Sequence, residues 1–247
     1  GQKPMTLLAV CPNSPAVIKA AFRAAKRNNA PILFAATLNQ VDGDGGYTGM
    51  TQKDFVRVLK VEARRNNFDG DYIACVDHGG PWLKDIQTTE LWPYEKAMAA
   101  VKKSEEDAIA AGYGLIHVDP TVDRFLPKGE IIKIDVVAAR TVEIISHLER
   151  FRKAQGLPRV AYEVGTEEVH GGLADKSVFL RFLNLLKEGL EANGCPDAWP
   201  CFVVGKVGTD LHTTCFDTEV ARDLTSIVKG YGSWIKGHYT DDVENPE

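Results

Sequence analysis

Along this chain, short apolar runs alternate with longer segments in which apolar residues recur at helical spacing. The apolar runs stand at TLLAV (6–10), PILFAAT (31–37), YIACV (72–76), GLIHV (114–118), RVAYEV (159–164), CFVVGKV (201–207) and SWIKG (233–237). SPAVIKAAFRAAKRNN opens on Ser14 as a cap with Pro15 in the first turn, and its spacing predicts a stripe of Val17, Ala20, Ala21 and Ala24. TQKDFVRVLKVEARRNN starts at Thr51, carries Asp54 three residues on as a capping box requires, and ends on paired asparagines. Helical patterns also fill 94–111, 134–155, 175–193 and 217–229. Strands that are continuously apolar rather than alternating belong to a parallel sheet buried on both faces, so the class is α/β.

Two parallel-sheet architectures compete. A nucleotide-binding doubly wound sheet usually carries a glycine-rich phosphate turn after its first strand, and AVCPNSPAVI has none. The (β/α)8 TIM barrel instead places chemistry at the C-terminal ends of many strands. The histidines follow that second pattern. His78 ends the third run, His117 lies in the fourth, His170 follows the fifth, His212 the sixth and His238 the seventh, while His147 alone falls in a helical segment. Acids and amides gather at the same rim: Asn39 and Gln40 after the second run, Asp77, Asp119, Glu163, Glu167 and Glu168 around the next three, Asp210 and Asp241 beside the last two histidines.

Imidazoles and a carboxylate converging from separate strands are the ligand chemistry of zinc or a similar divalent ion. The sequence has no G-x-S-x-G nucleophile elbow. The task that remains for such an ion is to polarise a carbonyl or activate a hydroxyl, with a neighbouring carboxylate moving the proton. In a regular strand His78 would reach the ion, and Asp77, one residue earlier, would point to a different side and act from there as acid or base.

Composition narrows the partners. A chain of 247 residues that is 44% hydrophobic can bury the core of one barrel domain spanning 1–247. The formal charge is −5 with lysine and arginine dispersed, so there is no basic stripe to track nucleic acid. The N-terminal apolar run of about six residues is too short for a signal peptide or a membrane span, which points to a cytoplasmic protein without a membrane partner. Five cysteines, Cys11, Cys75, Cys195, Cys201 and Cys215, form an odd set without a CxxC spacing and read as reduced thiols, Cys75 as a small core residue.

NQVDGDGGYTGMTQKDF (39–55), DHGGPW (77–82), IHVDPTVD (116–123), GTEEVHGG (165–172) and GHYTDD (237–242) resemble the tagatose-bisphosphate aldolase accessory-subunit family, itself similar to class II aldolases and to metal-dependent ketose and ketonate epimerases. The resemblance implies a barrel and a ketose or ketose phosphate as substrate. It also implies retro-aldol cleavage or C4 epimerisation through an enediolate held on Zn2+ or another divalent ion such as Mn2+. Asp77 and His78 match the aldolase Asp-His pair; His212 in GTDLHT and His238 in KGH resemble further ligand elements. The fifth-strand acid stays open between Glu163 in YEVG and Glu167 in GTE. The expected metal set is His78, Glu167, His212 and His238. Asp77, Asp119, Asp210 and Glu163 are the catalytic candidates, and Asn39, Gln40, Lys206 and Asp241 the substrate-binding ones.

The accessory-subunit pattern has a glutamine-bearing stretch near Lys206 and no counterpart to His212, so this fuller ligand set favours an enzyme, an aldolase or an epimerase. The alternative is a non-catalytic subunit that stabilises a class II aldolase. Besides the sugar, the expected partners are such an aldolase subunit and further copies of this chain. Only seven strand-like runs are present, so the barrel's eighth strand is expected to come from elsewhere.

Overall fold

In a computed structural model the chain is described at residues 6–127, 129–166, 175–207 and 216–238, and by its backbone at 209–210 and 213–214. Its strands are β1 (Ala9–Val10), β2 (Ile32–Thr37), β3 (Tyr72–Gly79), β4 (Leu115–Val118), β5 (Ala161–Val164), β6 (Phe202–Val204), the short hairpin β7 (Thr209–Asp210) and β8 (Thr213–Thr214), and β9 (Trp234–Lys236). All but the hairpin form one parallel sheet in the order β1-β2-β3-β4-β5-β6-β9. It is a curled, TIM-barrel-like α/β fold, and among the described residues no strand joins β1 to β9.

The helices are α1 (Pro15–Asn28), α2 (Gln52–Arg65), α3 (Asp85–Thr89), α4 (Tyr94–Ala111), α5 (Ile134–Ala154), α6 (Lys176–Ala192) and α7 (Thr218–Gly230). Their starts follow local chemistry. Ser14 accepts a hydrogen bond from the Val17 N–H, and Thr51 and Asp54 form the reciprocal capping box. The α1 stripe is rotated by about one residue from the expected one: Ile18, Ala21, Phe22 and Ala25 are buried, and Ala20 is exposed. The two bulky residues decide the face, because Ile18 and Phe22 bury far more apolar area than an alanine does. The Phe22 ring lies 4.8 Å from Phe34, 5.3 Å from Phe68 and 5.3 Å from Tyr72, closing α1 onto the sheet.

The large core lies between the sheet and its helices, with Phe55, Phe179 and Phe182 wholly buried. A second, small apolar cluster of Leu33, Ala35, Cys75 and Leu115 packs on the other, inner face of the sheet. It forms the floor beneath the functional residues, and Cys75 belongs to it as expected. Cys11, Cys75, Cys195 and Cys201 are free thiols. No helix among the described residues is long and apolar enough to cross a membrane.

Candidate metal centre

Strand alternation carries most of the site to the inner face. Side chains two apart on a strand share a face, so the positions that follow the floor residues Cys75 and Leu115 are Asp77 and His117. His117 pairs in register with Glu163 of β5, and Lys236 on β9 precedes His238 by two residues.

His78 reaches the same place by breaking the rule. Val76 pairs with Ile116 and Gly79 with Val118, so Asp77 and His78 together oppose His117 alone, a β-bulge. His78 adopts a left-handed φ of 50°, a strained value for a residue with a side chain. This overturns the premise that adjacent strand residues cannot face one point. One donor atom from each of Asp77, His78, His117 and His238 lies within 4.8 Å of the others.

The paired glycines after His78 are steric requirements of that bulge. A Cβ on Gly79 would collide with Glu105 Oε1 and lie 2.8 Å from the His117 carbonyl oxygen; one on Gly80 would collide with the Asp119 carbonyl. Gly165 serves the other wall, since a Cβ there would come within 2.9 Å of His117 Nε2 and 3.0 Å of Asp119 Oδ1.

Hydrogen bonds orient the rings. His78 Nδ1 lies 2.6 Å from Asp119 Oδ2, while Asp119 Oδ1 accepts from the Thr121 hydroxyl at 2.6 Å. Asp119 thus accepts a hydrogen bond from His78 Nδ1–H and leaves the Nε2 lone pair facing inward, the arrangement that orients histidine ligands of metals. His78 Nε2 is 3.1 Å from His238 Nδ1. His117 Nδ1 accepts the His78 backbone N–H at 3.1 Å. Glu163 Oε1 lies 3.5 Å from His117 Nδ1 and 3.4 Å from His238 Nε2, and its Oε2 accepts from Lys236 Nζ at 2.7 Å.

The charges fit a cation. Burial alone would raise the pKa of Asp77, Asp119 and Glu163, but hydrogen bonds from the imidazoles, and the charge of those rings when protonated, outweigh it and hold all three below the usual carboxylate range. For Asp119 the His78 hydrogen bond is the largest opposing effect; Lys236 adds to the effect on Glu163. Burial favours neutral Lys236, but Glu163 overrides it and keeps the ammonium charged. Three carboxylates against one ammonium leave two negative charges uncompensated if the imidazoles are neutral. His117 Nε2 and Glu163 Oε1 are buried with no hydrogen-bond partner among the described residues. A divalent ion would cancel that charge, and imidazole with carboxylate is a donor set suited to zinc.

The other expected site residues divide into two groups. Glu167, Glu168, His170, His212 and Asp241 lie outside the described residues, as do Cys215 and the side chain of Asp210. Asn39 and Gln40 lie in the loop after β2, where their side chains brace the framework. Asn39 donates to Asp85 Oδ1 at 2.9 Å and accepts from the Asp85 N–H at 3.0 Å, whereas Gln40 Oε1 accepts from the Thr37 N–H at 2.8 Å. Lys206, just beyond β6, is half-buried, and His147 pairs with Glu106 at 2.6 Å on α5, away from the rim. Sequence reasoning counted His117 among the rim histidines without giving it a ligand or catalytic role, and gave no role to Lys236 or to the bulge. The period-two series from Leu115 and the two-residue spacing of Lys236 and His238 were the available signals.

The profile of the D-tagatose-1,6-bisphosphate aldolase subunit GatZ/KbaZ-like family matches residues 1–241. The chain belongs to this family. A curated relative, the D-tagatose 6-phosphate 4-epimerase of Agrobacterium fabrum, is 29% identical over 267 aligned residues, covering 99% of this chain and 60% of the relative. The crystal structure of a probable tagatose 6 phosphate kinase from Sinorhizobium meliloti 1021 superposes with a TM-score of 0.77 at 25% identity, covering 95% of this chain and 59% of that one. A deoxyribose phosphate aldolase from Aeropyrum pernix shares the fold at a TM-score of 0.50 and 14% identity, covering 95% of this chain and 74% of that one. This family member therefore spans less than two thirds of the length of the first two relatives.

Proposed function

We propose that the chain carries the metal-binding, proton-transferring part of an active site that acts on a ketose phosphate at the C3–C4 bond. The observation that carries this reading is the convergence of Asp77, His78, His117 and His238 at the C-terminal ends of their strands. A bound divalent ion would polarise the C2 carbonyl and offset the negative charge that develops on its oxygen. His78 and His238, with His117 beside them, would hold such an ion, and Glu167 and His212 are further ligand candidates. Asp119 fixes the His78 ring, and Lys236 fixes Glu163.

The chemistry follows from where a carbonyl at C2 can stabilise charge. That carbonyl does not acidify the C4 hydrogen, but it does stabilise the electron pair released at C3 when the C3–C4 bond breaks. Asp77, ionised at neutral pH, takes the proton of the C4 hydroxyl; the C3–C4 bond breaks, its electron pair moves into a C2–C3 enolate, and C4 becomes an aldehyde. If the aldehyde leaves, C3 of the enolate takes up a proton, which Asp77 can return, and the outcome is aldol cleavage. If it turns over and C3 adds to its other face, Asp77 returns the proton to the C4 oxygen and the product is the C4 epimer. The relative named as a 4-epimerase and the family named for an aldolase subunit fit the two exits of one mechanism. The kinase name of the structural neighbour has less support here, because the turn after β1, Cys11-Pro12-Asn13-Ser14, lacks a glycine-rich phosphate cradle.

The family description also favours a second reading, a subunit that stabilises a separate class II aldolase. One experiment separates the two. The protein, with zinc or manganese added, is incubated with D-tagatose 6-phosphate and with D-fructose 6-phosphate, and products are resolved for epimers and three-carbon fragments. Turnover by the chain alone supports the first reading. Its absence, with activation of an added class II aldolase, supports the second.

A further inference from the structure

Glu105 on α4 is wholly buried, and no N–H or O–H of the described residues is bonded to either of its carboxyl oxygens. Wholly buried with no cation or N–H bonded to it among the described residues, the group is favoured in its neutral acid form, which carries an O–H to donate; burial raises its pKa accordingly. A polar group of this kind is expensive to hide, and an aliphatic residue would fill the same volume at lower cost. Its place is specific. The position that a Cβ of Gly79 would occupy collides with Glu105 Oε1 and is 2.8 Å from the His117 carbonyl oxygen. The acid and that carbonyl border one space, left by the missing side chain of Gly79, directly behind the bulge that presents Asp77 and His78.

We infer that Glu105 is a positioning residue for the metal centre: it fills the space behind Gly79 and offers its acid O–H to the His117 carbonyl, holding β3 and β4 in the bulged register that turns Asp77, His78 and His117 to one point. No proton is transferred. The value of this arrangement to the protein rests on the proposed metal site, whereas the bracing itself does not.

The test compares Glu105→Gln, which keeps shape and a donor, with Glu105→Met, which keeps the approximate volume and removes the donor; Glu105→Leu replaces the latter if it does not fold. In metal-free protein, infrared spectra should show a protonated carboxyl C=O band that Glu105→Gln lacks. Amide exchange is followed at Asp119, whose N–H bonds to the Gly79 carbonyl at 2.9 Å just beyond the bulge. That amide should exchange about tenfold faster or more in Glu105→Met and near the native rate in Glu105→Gln. Zinc affinity should fall about 10–100-fold in Glu105→Met, with an unchanged or higher melting temperature, and should persist in Glu105→Gln. Native exchange and affinity in Glu105→Met would reduce Glu105 to a filler and overturn the inference. Equal losses in both variants, or no carboxyl band in the native protein, would overturn it too. If the native protein binds no zinc, the metal reading fails while the exchange comparison still decides the bracing.

Discussion

Lys236→Met offers a quantitative probe of the site's electrostatics in the absence of metal. Glu163 is 0% exposed and the Lys236 side chain 16%, with 2.7 Å between Nζ and Oε2. Methionine keeps the stem and removes the charge, leaving a buried carboxylate whose other oxygen meets, among the described residues, two imidazoles at 3.5 and 3.4 Å. Breaking a buried pair from one side costs about 3–5 kcal/mol. The lower end applies here, because His117 or His238 can take up a proton and compensate part of the charge. At roughly 2–4 °C per kcal/mol for a chain of this size, a loss of about 3 kcal/mol lowers the melting temperature by roughly 6–12 °C. In Lys236→Met/Glu163→Gln no bare carboxylate remains, so the double variant should be more stable than Lys236→Met, with a coupling of about 1–3 kcal/mol. Thermal and urea unfolding in chelator at pH 7 measure this. A Lys236→Met loss below about 1 kcal/mol, as for a solvated pair, or strict additivity in the cycle, would refute the buried-pair argument.

Three further outcomes are expected. Asp77→Asn keeps the shape and removes the base, so turnover should fall about 10²-fold or more with zinc content and KM near native; surviving turnover with weakened zinc binding would make Asp77 a ligand instead. Asp119→Ala frees the His78 ring and should weaken zinc binding about 10–100-fold by calorimetry, whereas a native affinity would show that His78 needs no partner. Acid should unfold the protein through its site carboxylates. Glu163 is held down to about 2 from an ordinary 4.5, and Asp77 and Asp119 are also depressed. The unfolded chain therefore binds more protons in this range. The stability these groups contribute is full above the ordinary values and lost as pH falls from about 4.5 towards about 2, by up to about 1.4 kcal/mol per pH unit for each group. Glu163→Gln should show a shallower fall than native protein in pH-dependent urea unfolding, and parallel curves would contradict the assignment.

Much of the fold was legible because parallel strands and amphipathic helices leave local signatures. The strand-like run at 72–76 begins β3, and the capping residues Ser14 and Thr51 start α1 and α2. The convergence of Asp77 and His78 was not legible, since a bulge depends on how β3 meets β4 and a left-handed φ at a histidine leaves no mark in composition. The Lys236–Glu163 pair joins residues 73 positions apart, a separation at which only register brings them together. Asn39 has a local partner that its sequence position did not reveal. Its type and place at the rim suggested substrate binding, and in this structure its amide bonds Asp85 across the neighbouring loop. The rim histidines were readable as a set because the C-terminal ends of several strands face one axis, whatever the local detail.

The central claim is that His78 and His238, with their neighbours, form a divalent-metal site, and zinc binding measures it most directly. Metal-stripped protein is titrated with zinc by calorimetry, and the metal content after desalting is determined by mass spectrometry for the native chain, His78→Ala and His238→Ala. The account predicts about one tightly bound zinc per native chain and loss of most of it in each variant, with folding intact by circular dichroism. No zinc bound by the native chain, or full stoichiometry and affinity retained in both variants, would contradict it.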